Sequence, residues 1–242
     1  WLPNHDALDI AAVSEPSMEV GGAYFDFVDL DRNRLGVVVG DVSGKGVSAA
    51  FYMAEVKGIF QSLSKLCPSP KDLLVQANST LMGSLEKRAF ISLLYAVFDI
   101  PKATLQLARA GHCPMIRISK STTELVRPNG LGLGLTNGEL FSRSTEEMVL
   151  DLNKGDVYIF YTDGITESRN ESGEEFGYER LVDLAKTVKD CAANEIKDRI
   201  LSEIRLYSGS KGIADDLTLI VVKWRGSKEP KDTKLEAQGE TS

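Results

Sequence analysis

Four stretches of the chain are almost wholly apolar over five or more consecutive residues: 35–39, 90–98, 157–161 and 217–222. Their content of valine, isoleucine, leucine and aromatics reads as strand, and apolar side chains on both strand faces require both faces to be covered. Weaker strand patterns surround them at 9–13, 19–30, 104–110, 115–118, 124–127 and 142–152. Helical spacing is confined to two groups, 47–66 with 69–82 and 178–190 with 194–207. Ser69-Pro70 marks one helix start, because proline fits the first helical turn. The order is therefore strands, two helices, many strands, two helices, one strand. Such grouping rules out an alternating parallel βαβ fold. It predicts an α+β fold of packed sheets flanked by helical layers.

The chain has 242 residues with 43% hydrophobic and 26% charged, enough for one sizeable core. We expect one domain over residues 1–224 and a polar, disordered tail over 225–242. The net charge of −7 argues against a nucleic-acid partner. No apolar run reaches the roughly 20 residues that cross a bilayer. Cys67, Cys113 and Cys191 are too scattered for a disulfide framework or a zinc site, which predicts reduced thiols and a cytoplasmic location. The chain begins at Trp1 without methionine, so an upstream segment, a sensor or a membrane anchor in the full-length protein, is expected.

Chemistry concentrates where the apolar strands end. Residues 40–46 read Gly-Asp-Val-Ser-Gly-Lys-Gly, between a strand and a helix. Asp163 follows another strand in Thr162-Asp163-Gly164, and Asp215-Asp216 precede the last one. Strands running in opposite directions would bring Asp41, Asp163 and Asp215 to one sheet edge. Carboxylates that close repel unless cations lie between them. Hard oxygen donors without imidazole or thiolate favour Mg²⁺ or Mn²⁺, and a pair of such ions is a common device in phosphate-ester chemistry.

Gly21-Gly22, residues 40–46, Ala110-Gly111-His112-Cys113-Pro114, Tyr161-Thr162-Asp163-Gly164 and Asp215-Asp216-Leu217-Thr218 together resemble the SpoIIE/RsbU branch of PPM (PP2C-like) serine/threonine phosphatases. Order and spacing match over about residues 8–224. The resemblance implies a four-layer αββα sandwich flanked by antiparallel helices, with two Mn²⁺ or Mg²⁺ ions at one edge. It implies hydrolysis of phosphoserine or phosphothreonine on a protein by a metal-activated water, with no side-chain nucleophile. The substrate it implies is a phosphorylated STAS-type anti-sigma-factor antagonist in bacterial signalling. By the motif match Asp41 bridges both metals, the Val42 carbonyl is a further ligand, and Asp163 and Asp215 hold one metal. Gly164 and Asp216 are expected just behind these ligands. His112 and Lys45 stay outside this set, and a homodimer is left open.

One position departs from the family pattern. Gly-Gly-Asp is expected where this chain has Gly21-Gly22-Ala23. Asp26 cannot stand in, because an offset of three places its side chain on the opposite strand face. The second metal position is therefore expected to be weak, and a catalytically weak pseudophosphatase that binds a partner is the alternative. A nucleotide-binding ATPase is disfavoured, since residues 40–48 lack the G-x-x-x-x-G-K-[ST] spacing.

Overall fold

The structure, a computed structural model, describes residues 2–17, 21–44, 46–86, 89–209 and 215–227. Lys45 and all but the first three residues of the expected tail lie outside the described residues.

Two five-stranded antiparallel sheets form the body. One has the order β2 (Ala23–Asp31), β3 (Arg34–Val42), β4 (Ile91–Asp99), β5 (Thr104–Ala110), β8 (Glu147–Asp151). The other runs β1 (Leu8–Glu15), β10 (Leu217–Trp224), β9 (Val157–Tyr161), β6 (Met115–Ile118), β7 (Thr123–Val126). We call them the β3 sheet and the β10 sheet.

The period of two along each strand sorts its side chains between two cores. In β3, Val37 and Val39 meet Phe160 and Ile220 of the other sheet, whereas Val38 packs under helices α1 (Val47–Leu63) and α2 (Pro70–Leu81). In β9, Tyr158 and Phe160 join the inter-sheet core, whereas Ile159 and Tyr161 pack under α5 (Gly177–Val188) and α6 (Ala193–Ser208). The molecule therefore has four layers: helices, sheet, sheet, helices. Both sheets are covered on both faces, and that is why their central strands carry hardly any polar residue.

One local expectation changes, and one loop is better anchored than its composition suggests. Residues 142–152 are not one strand: α3 (Gly138–Ser144) precedes the short β8. The Asn137 side chain caps α3 by accepting from Leu140 N–H, Phe141 is buried, and Glu139 pairs with Arg143 one turn on. About two turns are too few to show a helical period. The glycine-spaced loop 129–135, whose spacing by itself would suit a flexible connector, is pinned to the β3 sheet. Leu133 pairs with Ile91 through two backbone hydrogen bonds of 3.0 and 2.8 Å, and Gly111 N–H donates to the Gly130 carbonyl. A Cβ on Gly130 would lie 1.8 Å from the Arg109 carbonyl, so this crossing requires glycine.

Candidate active site

β3 ends in Gly40-Asp41-Val42. Asp41 has the parity of Val37 and Val39, so its side chain faces the space between the sheets, at its open end. It lies directly opposite Ala23 on β2 and Ser92 on β4. Asp26 has the other parity: it accepts from the Tyr24 hydroxyl and sits 3.8 Å from Lys57 on α1. The strand-face argument against Asp26 therefore holds.

The β10 sheet delivers the other two carboxylates. β9 ends at Tyr161 and gives way to a single helical turn, α4 (Asp163–Thr166). Asp215 precedes β10 by two residues. Thr162 ties the two ends together: its hydroxyl donates to the Asp216 carbonyl at 3.0 Å and accepts from Thr218 N–H at 2.8 Å. Gly164 lies against this turn so closely that a Cβ would sit 2.3 Å from the Asp216 carbonyl. That contact explains the glycine after Asp163.

Asp216 performs a different task from its neighbour. Its carboxylate accepts from Ser17 N–H at 2.7 Å, Ser17 hydroxyl at 3.0 Å, Gly22 N–H at 2.6 Å and Ala23 N–H at 3.1 Å. Burial opposes its charge, but these bonds outweigh burial and hold its pKa below the usual carboxylate value. Asp216 thus clamps the start of β2 to the start of β10 and fixes Ala23 beside Asp41.

Asp41 lies within the field of Asp163, Asp215 and Asp216. Burial, followed by the charges of these three, pushes its pKa up to about 7. Gly22 adds a second feature. The place where its Cβ would stand lies 3.1 Å from Asp41 Oδ1, 3.2 Å from the Val42 carbonyl and 3.3 Å from the Gly44 carbonyl. Oxygens converge there over bare backbone. Among the described residues, no three Asp, Glu, His or Cys side chains close round a common point. The carboxylates are thus grouped at one edge without forming a finished cage. As donors, they are all hard oxygens and suit a divalent cation of the Mg²⁺ type.

A cleft of about 280 Å³ opens beside Asp41 and Asp163, with Phe90, Pro114, Glu167 and Tyr178 on its walls. Burial, then the charges of Asp163, Glu175 and Asp215, raises the Glu167 pKa. Cys113 also faces the cleft, but burial and then Asp163 push its thiol up to about 12, which leaves it inert near neutrality.

His112, which the sequence reading kept outside the ligand set, is a structural residue. It is buried. Nε2 lies 3.1 Å from the Tyr161 carbonyl, which can only accept, so Nε2 carries the proton. Nδ1 then accepts from the Ser92 hydroxyl at 2.8 Å. Burial lowers its pKa to about 4, against the hydrogen bond to Tyr161. Arg109 completes the network, donating to the His112 carbonyl at 2.8 Å and the Pro128 carbonyl at 2.9 Å. Sequence reasoning missed Arg109. Its signal was a charge inside the apolar run of β5.

Two facing antiparallel sheets between helical layers, with carboxylates at one open edge, define a PP2C-like fold. The PP2C phosphatase domain of SpoIIE from Bacillus subtilis superposes with a TM-score of 0.74 at 21% identity, covering 89% of this chain and 63% of that one. RsbX in complex with magnesium superposes with a TM-score of 0.69 at 17% identity, covering 92% and 98%. The chain matches the SpoIIE family, Stage II sporulation protein E, over residues 31–225, and it belongs to that family. Phosphoserine phosphatase RsbU of Bacillus subtilis (strain 168) is 28% identical over 226 residues, 92% of this chain and 65% of RsbU. The chain spans between 38% and 65% of the length of the curated relatives it matches.

Proposed function

We propose that this domain is a metal-dependent protein phosphatase that hydrolyses phosphoserine or phosphothreonine on a protein. The observation that carries the reading is the meeting of Asp41 from one sheet with Asp163 and Asp215 from the other at one open edge, where burial and then the charges of Asp163, Asp215 and Asp216 push Asp41 up to about 7. A fold does not crowd carboxylates at an open edge for stability, because their mutual repulsion works against it. RsbU, a named phosphoserine phosphatase, and the magnesium complex of RsbX support the same reading.

In this reading Asp41, the Val42 carbonyl, Asp163 and Asp215 hold Mn²⁺ or Mg²⁺. A divalent ion held there lowers the pKa of water and offsets charge on the phosphoryl oxygens. The remaining work falls to the chain itself. Gly22 leaves room over Asp41 that any side chain would fill. Asp216 and Thr162 keep the two sheet ends in register. Phe90, Pro114 and Tyr178 form walls against which the substrate backbone lies. His112 donates no proton to the leaving oxygen, because its one N–H is held by Tyr161. No thiol takes part.

The substrate we infer is a phosphorylated STAS-type antagonist met in the cytoplasm, as the family resemblance implies, with a sensor segment upstream. Among the described residues no helix is long and apolar enough to cross a membrane. Release of p-nitrophenol from p-nitrophenyl phosphate with Mn²⁺, and its loss in EDTA, tests the reaction. Equal rates in both would overturn it.

One observation favours a second reading, a weakly active domain that chiefly binds its phosphoprotein. Ala23 is the cross-strand neighbour of Asp41, at the place where the family pattern has a carboxylate. The second metal position therefore rests on Asp41 and backbone oxygens alone. Tight binding of the phosphoprotein with negligible turnover would select this reading.

A further inference from the structure

The cleft contains a cation that the proposed metal chemistry does not use. Arg127 stands on its wall, together with Asp41, Asp163 and Glu167. It is exposed, and among the described residues it has no hydrogen-bond or ion-pair partner. The other arginine of the cleft, Arg109, is buried and committed to the carbonyls of Pro128 and His112.

The backbone around Arg127 is held firmly. Val126 on one side is buried in the inter-sheet core and pairs with Met115. Pro128 on the other side is buried, has a fixed φ, and presents its carbonyl to Arg109 Nε. An exposed guanidinium thus stands on a rigid mount in a cleft whose other charged walls are Asp41, Asp163, Glu167 and the already committed Arg109. Among the described residues Arg127 belongs to no core cluster and makes no ion pair, so the packing there does not call for a charge. A phosphate dianion entering this cleft is repelled by Asp41, Asp163 and Glu167. A planar fork of N–H donors matches two phosphoryl oxygens at once, which an ammonium group cannot do.

We propose that Arg127 is the substrate-binding residue for the phosphoryl group: its guanidinium takes two non-bridging oxygens of the phosphate monoester and orients it toward the Asp41 edge. Arg109 acts behind it as a positioning residue through Pro128. The inference rests on the phosphatase reading, since it assigns the same cleft to a phosphate ester.

The test uses the whole chain with Mn²⁺ and two probes. Inorganic phosphate binding is measured by calorimetry, and p-nitrophenyl phosphate hydrolysis is resolved into kcat and KM. The variants are Arg127→Ala, Arg127→Lys and, as a control cation on α5, Lys186→Ala. Loss of a charge-assisted bidentate contact should weaken phosphate roughly ten- to a hundredfold and raise KM by a similar factor, with a smaller fall in kcat. Arg127→Lys should recover part of the loss, and Lys186→Ala should match the wild type. Unchanged phosphate affinity in Arg127→Ala overturns the assignment, as does an equal loss in Lys186→Ala or a wild type that binds no phosphate. The two ideas fail separately. Hydrolysis with Arg127-independent phosphate binding removes the subsite and keeps the phosphatase. Arg127-dependent binding without Mn²⁺-dependent hydrolysis keeps the subsite and removes the phosphatase.

Discussion

Two polar clusters lie side by side in this molecule, one strand apart. In the first, His112, Arg109, Ser92 and the Tyr161 carbonyl are mutually satisfied, and the buried imidazole stays neutral. In the second, burial and then the charges of Asp163, Asp215 and Asp216 raise Asp41. The contrast separates structure from function by physics alone. A buried polar group with all its partners fixes a fold. Like charges brought together at an open edge work against stability, and in the proposed reading a cation would offset them. Both clusters meet at Ser92, which pairs with Asp41 along the strand and with His112 through its hydroxyl.

The hardest way to break the comparison is at Asp41. Asp41→Asn should reduce Mn²⁺-dependent hydrolysis to background. It should also leave the metal-free protein at least as stable as the wild type, because it removes a desolvated charge among like charges. Rates and urea midpoints in EDTA measure both. Retained turnover, or a collapsed fold, would contradict the assignment. Asp163 and Asp215 should be coupled in the same assay: if they hold one ion, either loss should cost nearly as much as both. Multiplicative losses would separate them.

Ala23 sharpens the acidic side. Its Cβ stands beside Asp41, so Ala23→Asp places a further carboxylate on the inter-sheet face. Occupancy of a second divalent ion should rise, and kcat should increase by roughly ten- to a hundredfold at fixed Mn²⁺. Mn²⁺ titration of both forms decides this. If the Ala23 form already turns over as fast, one ion suffices and the two-metal reading is wrong.

The acidic cluster was legible in the sequence, whereas the neutral one was not. Asp41, Asp163 and Asp215 each stand where an apolar strand meets a turn, so strand direction alone suggested a shared edge. The missing carboxylate at Ala23 was read against the Gly-Gly-Asp pattern of the family the chain resembles, and the exclusion of Asp26 from side-chain parity. His112, Ser92 and Tyr161 form their network across separations of 20 and 49 residues, which no local pattern encodes. Arg127 was passed over because an arginine before proline in a polar stretch looks like any solvated charge. Its meaning comes from the cleft it enters. The helix α3 was missed for the opposite reason: its signals are local but too few to outweigh the strand pattern that follows.

The neutral cluster gives a pH test of intermediate size. The folded pKa of His112, about 4, lies below the ordinary value of about 6.5, so the unfolded chain takes the proton first. Its contribution is complete above about pH 6.5 and is lost as pH falls toward 4. By linkage the loss is about 3 kcal/mol. His112→Gln removes the titrating group, so urea stability of the metal-free wild type should fall more steeply than that of the variant between pH 7 and 4.5. Parallel profiles would mean that the imidazole is not held neutral.

The smallest effect tests whether the two clusters are separate. Ser92→Ala removes the hydroxyl that donates to His112 Nδ1 and leaves that nitrogen buried without a donor. The cost should be about 1–2 kcal/mol of stability, typical for a buried acceptor that loses its partner. The backbone pairing of Ser92 with Asp41 is untouched by the change, since it uses main-chain groups. Asp41 therefore keeps its place, and Mn²⁺-dependent kcat should stay within a few-fold of the wild type. Paired urea and kinetic measurements on the one variant check both numbers. A loss of turnover that approaches the Asp41→Asn variant, at modest cost in stability, would show that the hydroxyl serves the acidic edge directly. The boundary drawn between the two clusters would then have to move to include Ser92.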